Sequence, residues 1–453
     1  MAAQRNTLPL PASPRRKSTT LLHLFELDSK NKSKSPKISL YLSNSENEEL
    51  LSIITYFTSP LESPSPQDLK RLKLTQLLSI IKLKKTLHDQ TLAPLMSMLS
   101  TNLFRPLPPP SNTSITSDFP DDEDPVSNFS PKWSHLQILY DILLRVVATT
   151  DPETLKEHVD HPFLLNLLSL FQSEDPRERD ILKNLYHRIY LRFTFYRSFM
   201  RKSMNDVFLH YIFDTDRHCG IAELLEIWGT IINGFTVPLK DEHKLFLMRV
   251  LIPLHKTKGM LAYHRQLAYC VSQFVQKEPM LGGTVVRGIL RYWPITSCQK
   301  EILLIGELEE LVENIDPDQY RKLALPLCSR ITKCLNSWNS QVAERALYVW
   351  NNEHFVKMAS AAIEEVFPVV VEGMEKNLKW HWSKSVGQLT ENVKVMLEEM
   401  HPFLYSKCLE EIDLREYKAR LEEVKRKEKW ERIEMAAARK QFLQPPHYIC
   451  VSH

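Results

Sequence analysis

The chain has 453 residues, with 58 Lys and Arg against 55 Asp and Glu and a formal net charge of +3. This balance excludes nucleic acid as the default partner of the whole chain, since nucleic-acid-binding domains concentrate positive charge. Only ten glycines occur and the first is Gly220, which excludes glycine-rich phosphate-binding loops from the first half. No apolar run reaches the roughly 18 residues that span a bilayer, so we expect neither a membrane span nor a secretory signal.

The N-terminal part divides by composition into a tail, a helical stretch and a loop. Residues 1–43 are rich in Lys, Arg, Ser, Thr and Pro, which predicts a disordered basic tail. From Asn44 to Leu103, apolar residues recur at helical spacing and predict two or three amphipathic helices. The Pro-rich, acidic segment 106–131 predicts a loop, because proline cannot continue a helix.

From residue 132 to about 400, apolar helical segments follow one another, and no β-type alternation competes with them. Prolines such as Pro176, Pro238, Pro279, Pro294 and Pro317 separate these segments. The breaks give about two helices per 40 residues, which is the spacing of helix-pair solenoids, although no identical residues recur at a fixed period. The predicted fold class is an all-α solenoid of degenerate repeats over residues 44–404.

The C-terminal segment 405–443 contains no Gly or Pro and mixes acidic and basic residues, which predicts one long, solvated helix. We expect it to pack a narrow stripe that includes Leu409, Ile412, Val424 and Ile433. Its Val424-Lys-Arg-Lys run resembles a nuclear signal, but the charged surface of a helix is the favoured interpretation. Residues 444–453 are predicted to form a second disordered tail.

Seven cysteines are scattered without a C-x-x-C pair, which favours reduced thiols and predicts a cytoplasmic protein, with the nucleus as a second compartment. The common nucleophile, metal and phosphate motifs are missing, so we expect no catalytic residue, no cofactor and no metal. Residues 216–220 place Asp216, His218 and Cys219 together, which we interpret as loop capping. We interpret Trp380 and Trp382 as inter-helix packing rather than as a platform for stacked bases.

Two segments concentrate side chains that could recognise a peptide. Tyr190 and Arg197 are seven residues apart and would share one face of a helix, with His187 one turn earlier and Arg188 beside it. We expect these four residues to form one wall of a groove.

The second wall follows downstream. Ile227 and Ile231 are four residues apart on a hydrophobic helix, and Lys240 and His243 are three apart where the next helix should begin. In a solenoid these elements stack side by side, which predicts an apolar slot with a cationic rim. Its complement is a short extended peptide with aliphatic side chains and a carboxylate or phosphate. Ordinary helix packing with surface cations is the alternative; an open slot would let Ile227→Arg fold normally.

Several long, collinear strings resemble the B-prime (B-fifty-six) regulatory subunits of protein phosphatase 2A. The resemblance covers roughly residues 44–430 and is carried by FRPLPPPSN (104–112), SEDPRERDILKNLYHRIY (173–190), IAELLEIWGTIINGF (221–235), YHRQLAYCV (263–271), YWP (292–294), ELEELV (307–312) and QVAERALYVWNNE (341–353). Strings of this length are far more specific than a short motif. Tyr196 and Trp228 are larger than the side chains we expect at those positions.

The resemblance implies a HEAT-like solenoid that performs no chemistry. It further implies a heterotrimer with a scaffold and a catalytic subunit, and a groove that binds substrates carrying L-x-x-I-x-E motifs. The groove positions that match the family are His187, Arg188, Tyr190, Arg197, Ile227, Ile231, Lys240 and His243. The acidic turn with Glu174, Asp175 and Glu178 resembles the family loop near the catalytic subunit, although a helix N-cap also explains it. A helical-repeat adaptor for other cargo, of the transport-receptor kind, remains the alternative.

Overall fold

The computed structural model describes residues 44–58, 67–83, 89–108, 133–215 and 217–443. The chain divides into two units, Met1–Glu49 and Leu50–His453. Of the first unit, only the start of one helix is described. The predicted tails at 1–43 and 444–453 and most of the predicted loop at 106–131 lie outside the described residues.

Within the described ranges, every regular element is helical. The first helices are α1 (Asn44–Tyr56), α2 (Gln67–Leu83), α3 (Asp89–Leu103), α4 (Trp133–Thr149), α5 (Pro152–Leu155), α6 (His161–Ser169), α7 (Pro176–Arg192), α8 (Arg197–His210), α9 (Ile221–Asn233) and α10 (Asp241–Phe246). They continue as α11 (Ile252–Leu254), α12 (His264–Lys277), α13 (Gly282–Arg291), α14 (Cys298–Val312), α15 (Tyr320–Leu335), α16 (Ser340–Tyr348), α17 (Glu353–Ser360), α18 (Ile363–Trp380), α19 (Lys384–Met400) and α20 (Pro402–Leu443).

Several helices begin where the sequence supplies a capping side chain or a proline. The Asp160 carboxylate accepts the Phe163 N–H at 2.8 Å, and Asn339 and Asn352 cap α16 and α17 in the same way. The breaks predicted at Pro176, Pro238, Pro279, Pro294 and Pro317 all fall between helices or at their first turn. Prolines also occur inside helices, at Pro94, Pro326 and Pro368, so proline alone does not mark a helix end here.

Hydrogen bonds join equivalent positions in successive helix pairs. The Cys270 thiol donates to the Leu225 carbonyl, 45 residues earlier, and the Asn377 amide donates to the Leu335 carbonyl, 42 residues earlier. His264 contacts Glu307, 43 residues away. A recurring separation of this size means that each helix pair stacks on the preceding pair. The unit Leu50–His453 is therefore an all-α helical-repeat solenoid, as predicted.

One continuous apolar core runs between the stacked helices. Its largest fully buried side chains include Tyr140, Tyr186, Phe274 and Phe367. At Gly373 on α18 a Cβ atom would lie 2.1 Å from the Thr332 methyl on α15, so this close crossing of two helices requires glycine.

The C-terminal helix α20 packs only by its first turns. Tyr405, Cys408 and Ile412 are buried, and Leu409 is half-buried, whereas Val424 and Ile433 are more than half exposed. The expectation that Val424 and Ile433 belong to a packed stripe is therefore wrong. From Tyr417 to Arg439 every side chain is exposed, because this part of α20 has no neighbouring helix among the described residues.

The tryptophans near the end of α18 are also exposed. Trp380 and Trp382 are 74% and 63% exposed, so the interpretation as inter-helix packing is wrong. The Trp382 indole instead donates a hydrogen bond to the Trp338 carbonyl at 2.9 Å, between two neighbouring inter-helix loops. Within the described ranges, none of the helices is long and apolar enough to cross a bilayer.

Candidate functional site

The candidate peptide groove draws on four consecutive helices, α7 to α10. His187, Arg188 and Tyr190 lie near the C-terminal end of α7, and Arg197 begins α8. The expectation that Tyr190 and Arg197 share one helix is wrong, because α7 ends at Arg192 and a short 3₁₀ turn precedes α8.

Hydrogen bonds still bring Tyr190 and Arg197 together. The Arg197 side chain donates to the Tyr190 and Leu191 carbonyls, each at 3.0 Å, and its guanidinium lies 5.5 Å from the centre of the Tyr190 ring. These carbonyls belong to the last turn of α7, where backbone carbonyls have no N–H donor within the helix. Arg197 therefore fixes the end of α7, a positioning role that the sequence did not indicate.

His187 joins the same wall to α9. Its Nε2 lies 3.0 Å from the Thr230 hydroxyl, which itself donates to the Ile227 carbonyl at 2.7 Å. Because the Thr230 hydroxyl donates its proton to the Ile227 carbonyl, it can only accept from His187, which therefore carries a proton on Nε2. Thr230 lies between Ile227 and Ile231 on α9, so this hydrogen bond ties α7 to the part of α9 that carries the two isoleucines.

Arg201 is a member of this constellation that sequence reasoning missed. It donates to the Tyr190 hydroxyl at 3.1 Å and lies 4.0 Å from the Glu242 carboxylate on α10. Glu242 in turn lies 3.3 Å from His243 Nε2. Arg201 therefore connects α7, α8 and α10, and its position one helical turn after Arg197 was the available signal.

The rim is less cationic than the sequence suggested. Burial, reinforced by the charge of Arg188, lowers the pKa of His187. Burial also lowers the pKa of His243, whose ring stacks on Phe235 with centroids 3.6 Å apart. Both histidines are therefore neutral near pH 7, which corrects the expectation that they contribute positive charge. Arg188, Arg197 and Lys240 supply the charge of the rim.

Ile227 and Ile231 are almost completely enclosed. They are 1% and 5% exposed, so the expectation that both methyl surfaces line an open slot is wrong. Trp228 is also buried and stacks on Phe246, with ring centroids 3.9 Å apart. An arginine at position 227 would place a charge inside this packing, so the expectation that Ile227→Arg folds normally is withdrawn. The isoleucines form the base beneath the rim.

Most carboxylates of the acidic turn at the start of α7 bind groups within the chain. Asp175 is the N-cap of α7 and pairs with Arg177, while Glu174 is half-buried. Glu178 is 1% exposed and accepts hydrogen bonds from Arg105, Tyr140 and Ser173. The side chains of Asp175 and Glu178 therefore do not face outward, which corrects the expectation that they face a partner subunit.

The Asp-His-Cys segment shows no metal-like grouping in its described part. His218 accepts a hydrogen bond from the Gly220 N–H at 3.1 Å, as expected for loop capping, while Asp216 lies outside the described residues. Burial, followed by the charges of Arg179 and His210, lowers the pKa of His218 to about 4. In the part of the chain that is described, no three His, Cys, Asp or Glu residues converge as a metal site would require.

Comparison with known families gives the identity of this solenoid. Residues 47–437 match the family model described as "Protein phosphatase 2A regulatory B subunit (B56 family)". The chain belongs to the B56 family. This match spans most of the chain and includes all of α7 to α10, so the predicted resemblance is confirmed.

Curated plant proteins give the same result for the B56 assignment. The chain is 44% identical over 385 residues to the B' beta isoform of the 57 kDa regulatory subunit of serine/threonine protein phosphatase 2A from Arabidopsis thaliana, covering 84% of this chain and 77% of the relative. It is 42% identical over 396 residues to the B' alpha isoform of the same species, covering 86% and 79%. The B' kappa isoform of Oryza sativa subsp. japonica is 42% identical over 385 residues, covering 84% and 75%. The chain is thus a phosphatase regulatory subunit, a non-catalytic role.

Proposed function

We propose that this B56 chain joins a scaffold subunit and a catalytic subunit of protein phosphatase 2A and recruits substrates through L-x-x-I-x-E motifs. Family membership supports the assembly. The observation that supports the recruitment is that α7 to α10 bring the predicted groove residues together through shared contacts of Tyr190, Thr230 and Glu242. We place this activity in the cytoplasm and also in the nucleus, because the scattered cysteines suit a compartment that keeps thiols reduced.

The chemistry of the rim suits such a motif. Arg188 and Lys240 can pair with the motif's glutamate or with a neighbouring phosphoserine, while Arg197 keeps the end of α7 in position. Neutral His187 and His243 add polar contacts without repelling these cations. The aliphatic anchors pack on the small edges that Tyr190 and Ile231 leave accessible, 8% and 5% of each residue.

An L-x-x-I-x-E peptide should bind the purified chain in the micromolar range, about −8 kcal/mol, as measured by isothermal titration calorimetry. We expect Lys240→Ala and Arg188→Ala each to weaken binding about tenfold or more, because each removes a charged hydrogen bond of about 1.5–3 kcal/mol. Arg197→Ala should weaken binding as well, with a lower melting temperature, because it also frees the end of α7.

The matched control is Lys202→Ala, which removes an exposed cation of α8 that takes no part in the groove contacts described above. Its affinity should equal that of the unmodified chain, and a peptide with alanine in place of the motif's glutamate should bind weakly to all variants. Equal affinity of the Lys240→Ala, Arg188→Ala and Lys202→Ala variants would place the peptide site elsewhere.

A further inference from the structure

The exposed part of α20 carries an apolar seam with the spacing of a coiled coil. Its members alternate at three and four residues, with a second segment after a gap of one heptad: Leu414, Tyr417, Leu421, Val424, Met435 and Ala438. The five larger side chains are between 44% and 65% exposed. Taking Leu414 as position a, these residues occupy a and d positions over more than three heptads.

This seam points away from the solenoid. The buried side of α20 is defined by Tyr405, Cys408 and Ile412, and it continues in Arg415 and Glu416, which pair with Glu372 and Lys379 of α18. At about 100° per residue, the seam lies on roughly the opposite side of the helix. Folding of the solenoid therefore leaves it uncovered.

The positions that flank the seam are strongly basic. In this register, positions e and g hold Lys418, Arg420, Lys425, Lys427, Arg432 and Arg439, against the acidic residues Asp413 and Glu434. All are exposed. Arg420 and Lys425 pair within the helix with Glu416 and Glu422, but exposed pairs of this kind are weak and leave the positive field of the seam intact.

The centre of the seam has the opposite charge. Glu428 and Glu431 occupy the a and d positions of the third heptad, between the apolar segments. Charged residues at such positions set register and partner choice in coiled coils, because an unpaired charge in the interface is costly. A helix that pairs with this seam therefore needs basic residues opposite its centre and acidic residues along its edges.

We propose that residues 414–438 form one strand of a heterotypic coiled coil. The partner is an amphipathic helix with acidic residues beside its apolar seam and Lys or Arg opposite Glu428 and Glu431. Charge complementarity favours such a partner over a second copy of this chain. A second copy of the chain in parallel register would oppose basic edges to basic edges and glutamates to glutamates.

An anionic membrane fits the helix less well than a helical partner. An interfacial helix presents one wide apolar face, whereas the seam is narrow and contains two glutamates. The further apolar residues Trp430 and Ile433 occupy positions c and f, on the other side of α20. No single face of this segment could lie in a bilayer without burying a carboxylate.

The test uses the full chain and a synthetic peptide of four heptads. The acidic-edge peptide carries Leu at most a and d positions, Lys opposite Glu428 and Glu431, and Glu at positions e and g. The basic-edge peptide is identical except that it carries Lys at positions e and g. We expect the acidic-edge peptide to bind with a micromolar or lower dissociation constant and the basic-edge peptide to bind at least tenfold more weakly. The double variant Lys425→Glu with Lys427→Glu leaves four basic and four acidic residues at positions e and g and should therefore abolish this preference, as measured by fluorescence anisotropy.

The matched control is the double variant Arg426→Glu with Lys429→Glu, which makes the same change in charge off the seam and should alter affinity less than twofold. Leu421→Ser with Val424→Ser should abolish binding without lowering the melting temperature, because both side chains are exposed. Equal loss in the two charge-reversal variants would overturn the proposal by showing unspecific attraction. Binding of the chain to phosphatidylserine vesicles but not to the acidic-edge peptide would also overturn the proposal. So would sedimentation of the chain as a dimer that the double variant Leu421→Ser with Val424→Ser dissociates.

Discussion

Replacement of Glu178 by alanine should lower the free energy of unfolding by about 3–5 kcal/mol, the range for removing one partner of a buried ion pair. The Glu178 carboxylate accepts two hydrogen bonds from Arg105, at 2.9 and 2.8 Å, and one each from Tyr140 and Ser173, both at 2.6 Å. Burial, followed by the charge of Glu178, raises the pKa of Tyr140 well above its usual value, so its hydroxyl remains a donor. Removing the carboxylate leaves these donors unpaired inside the protein.

Chemical denaturation of the unmodified chain and of Glu178→Ala measures this loss. The control is Asp180→Ala on the same helix, which removes an exposed carboxylate paired with Lys183 and should change stability by less than about 1 kcal/mol. In a double-mutant cycle, Arg105→Ala should add little to Glu178→Ala, because both remove the same ion pair. Fully additive effects would mean that the pair does not hold the turn before α7.

The second large effect is expected at Glu307, a buried residue of α14 whose carboxylate contacts α12. Its carboxylate lies 3.1 Å from His255 Nε2 and 2.8 Å from His264 Nε2. His255 Nδ1 also lies 2.9 Å from the Ile252 carbonyl. Both partners of His255 are acceptors, so both ring nitrogens must carry a proton and the ring is a buried imidazolium. We expect Glu307→Gln to cost about 3 kcal/mol, since it weakens charged hydrogen bonds of about 1.5–3 kcal/mol each.

The cost should depend on pH. Burial favours a lower pKa for His255, but the charge of Glu307 outweighs it, and the pKa is raised. Burial would raise the pKa of Glu307, but His255 and then His264 lower it to about 2. The histidine contribution is complete below its unfolded pKa of about 6.5 and is lost as the pH rises through the folded value. The glutamate contribution is complete above its unfolded pKa of about 4.3 and is lost as the pH falls toward the folded value.

The difference in stability between the unmodified chain and Glu307→Gln should therefore be largest between about pH 4.3 and 6.5 and should shrink on either side. Denaturation midpoints measured from pH 4 to 9 test this profile. The exposed Glu313→Gln at the end of the same helix is the control and should show a nearly flat difference, because exposed carboxylates contribute little to stability. A flat profile for Glu307→Gln would show that no imidazolium is stabilised at His255.

The order of the helices could be predicted from the sequence, because local chemistry determines it. Pro176, Pro238, Pro279, Pro294 and Pro317 mark real boundaries, and a period of about 40 residues anticipated the hydrogen bonds between successive helix pairs. Pro326 and Pro368 show the limit of this approach, since packing against neighbouring helices keeps them within α15 and α18.

The environment of the groove residues could not be predicted in the same way. Spacing indicated that His187 and His243 lie near one another, but their neutrality depends on burial by helices distant in sequence. The enclosure of Ile227 likewise results from the packing of α9 against α7 and α12, which are distant from it in sequence. The spacing of Arg201 from Arg197 indicated only a shared helix face, since its contacts with Tyr190 and Glu242 join three helices whose arrangement no local pattern encodes.

Reconstitution shows whether this B56 chain joins a phosphatase 2A complex and selects the substrates of that complex. The purified chain is mixed with the scaffold and catalytic subunits of protein phosphatase 2A and separated by size-exclusion chromatography with multi-angle light scattering. We expect one species of 1:1:1 mass that dephosphorylates a phosphopeptide linked to an L-x-x-I-x-E motif faster than the two-subunit core does. We expect the Lys240→Ala variant to assemble equally well but to lose this preference. Elution of the chain apart from the other two subunits would show that it does not join this complex, and equal rates for peptides with and without the motif would show that it does not recruit substrates through the motif.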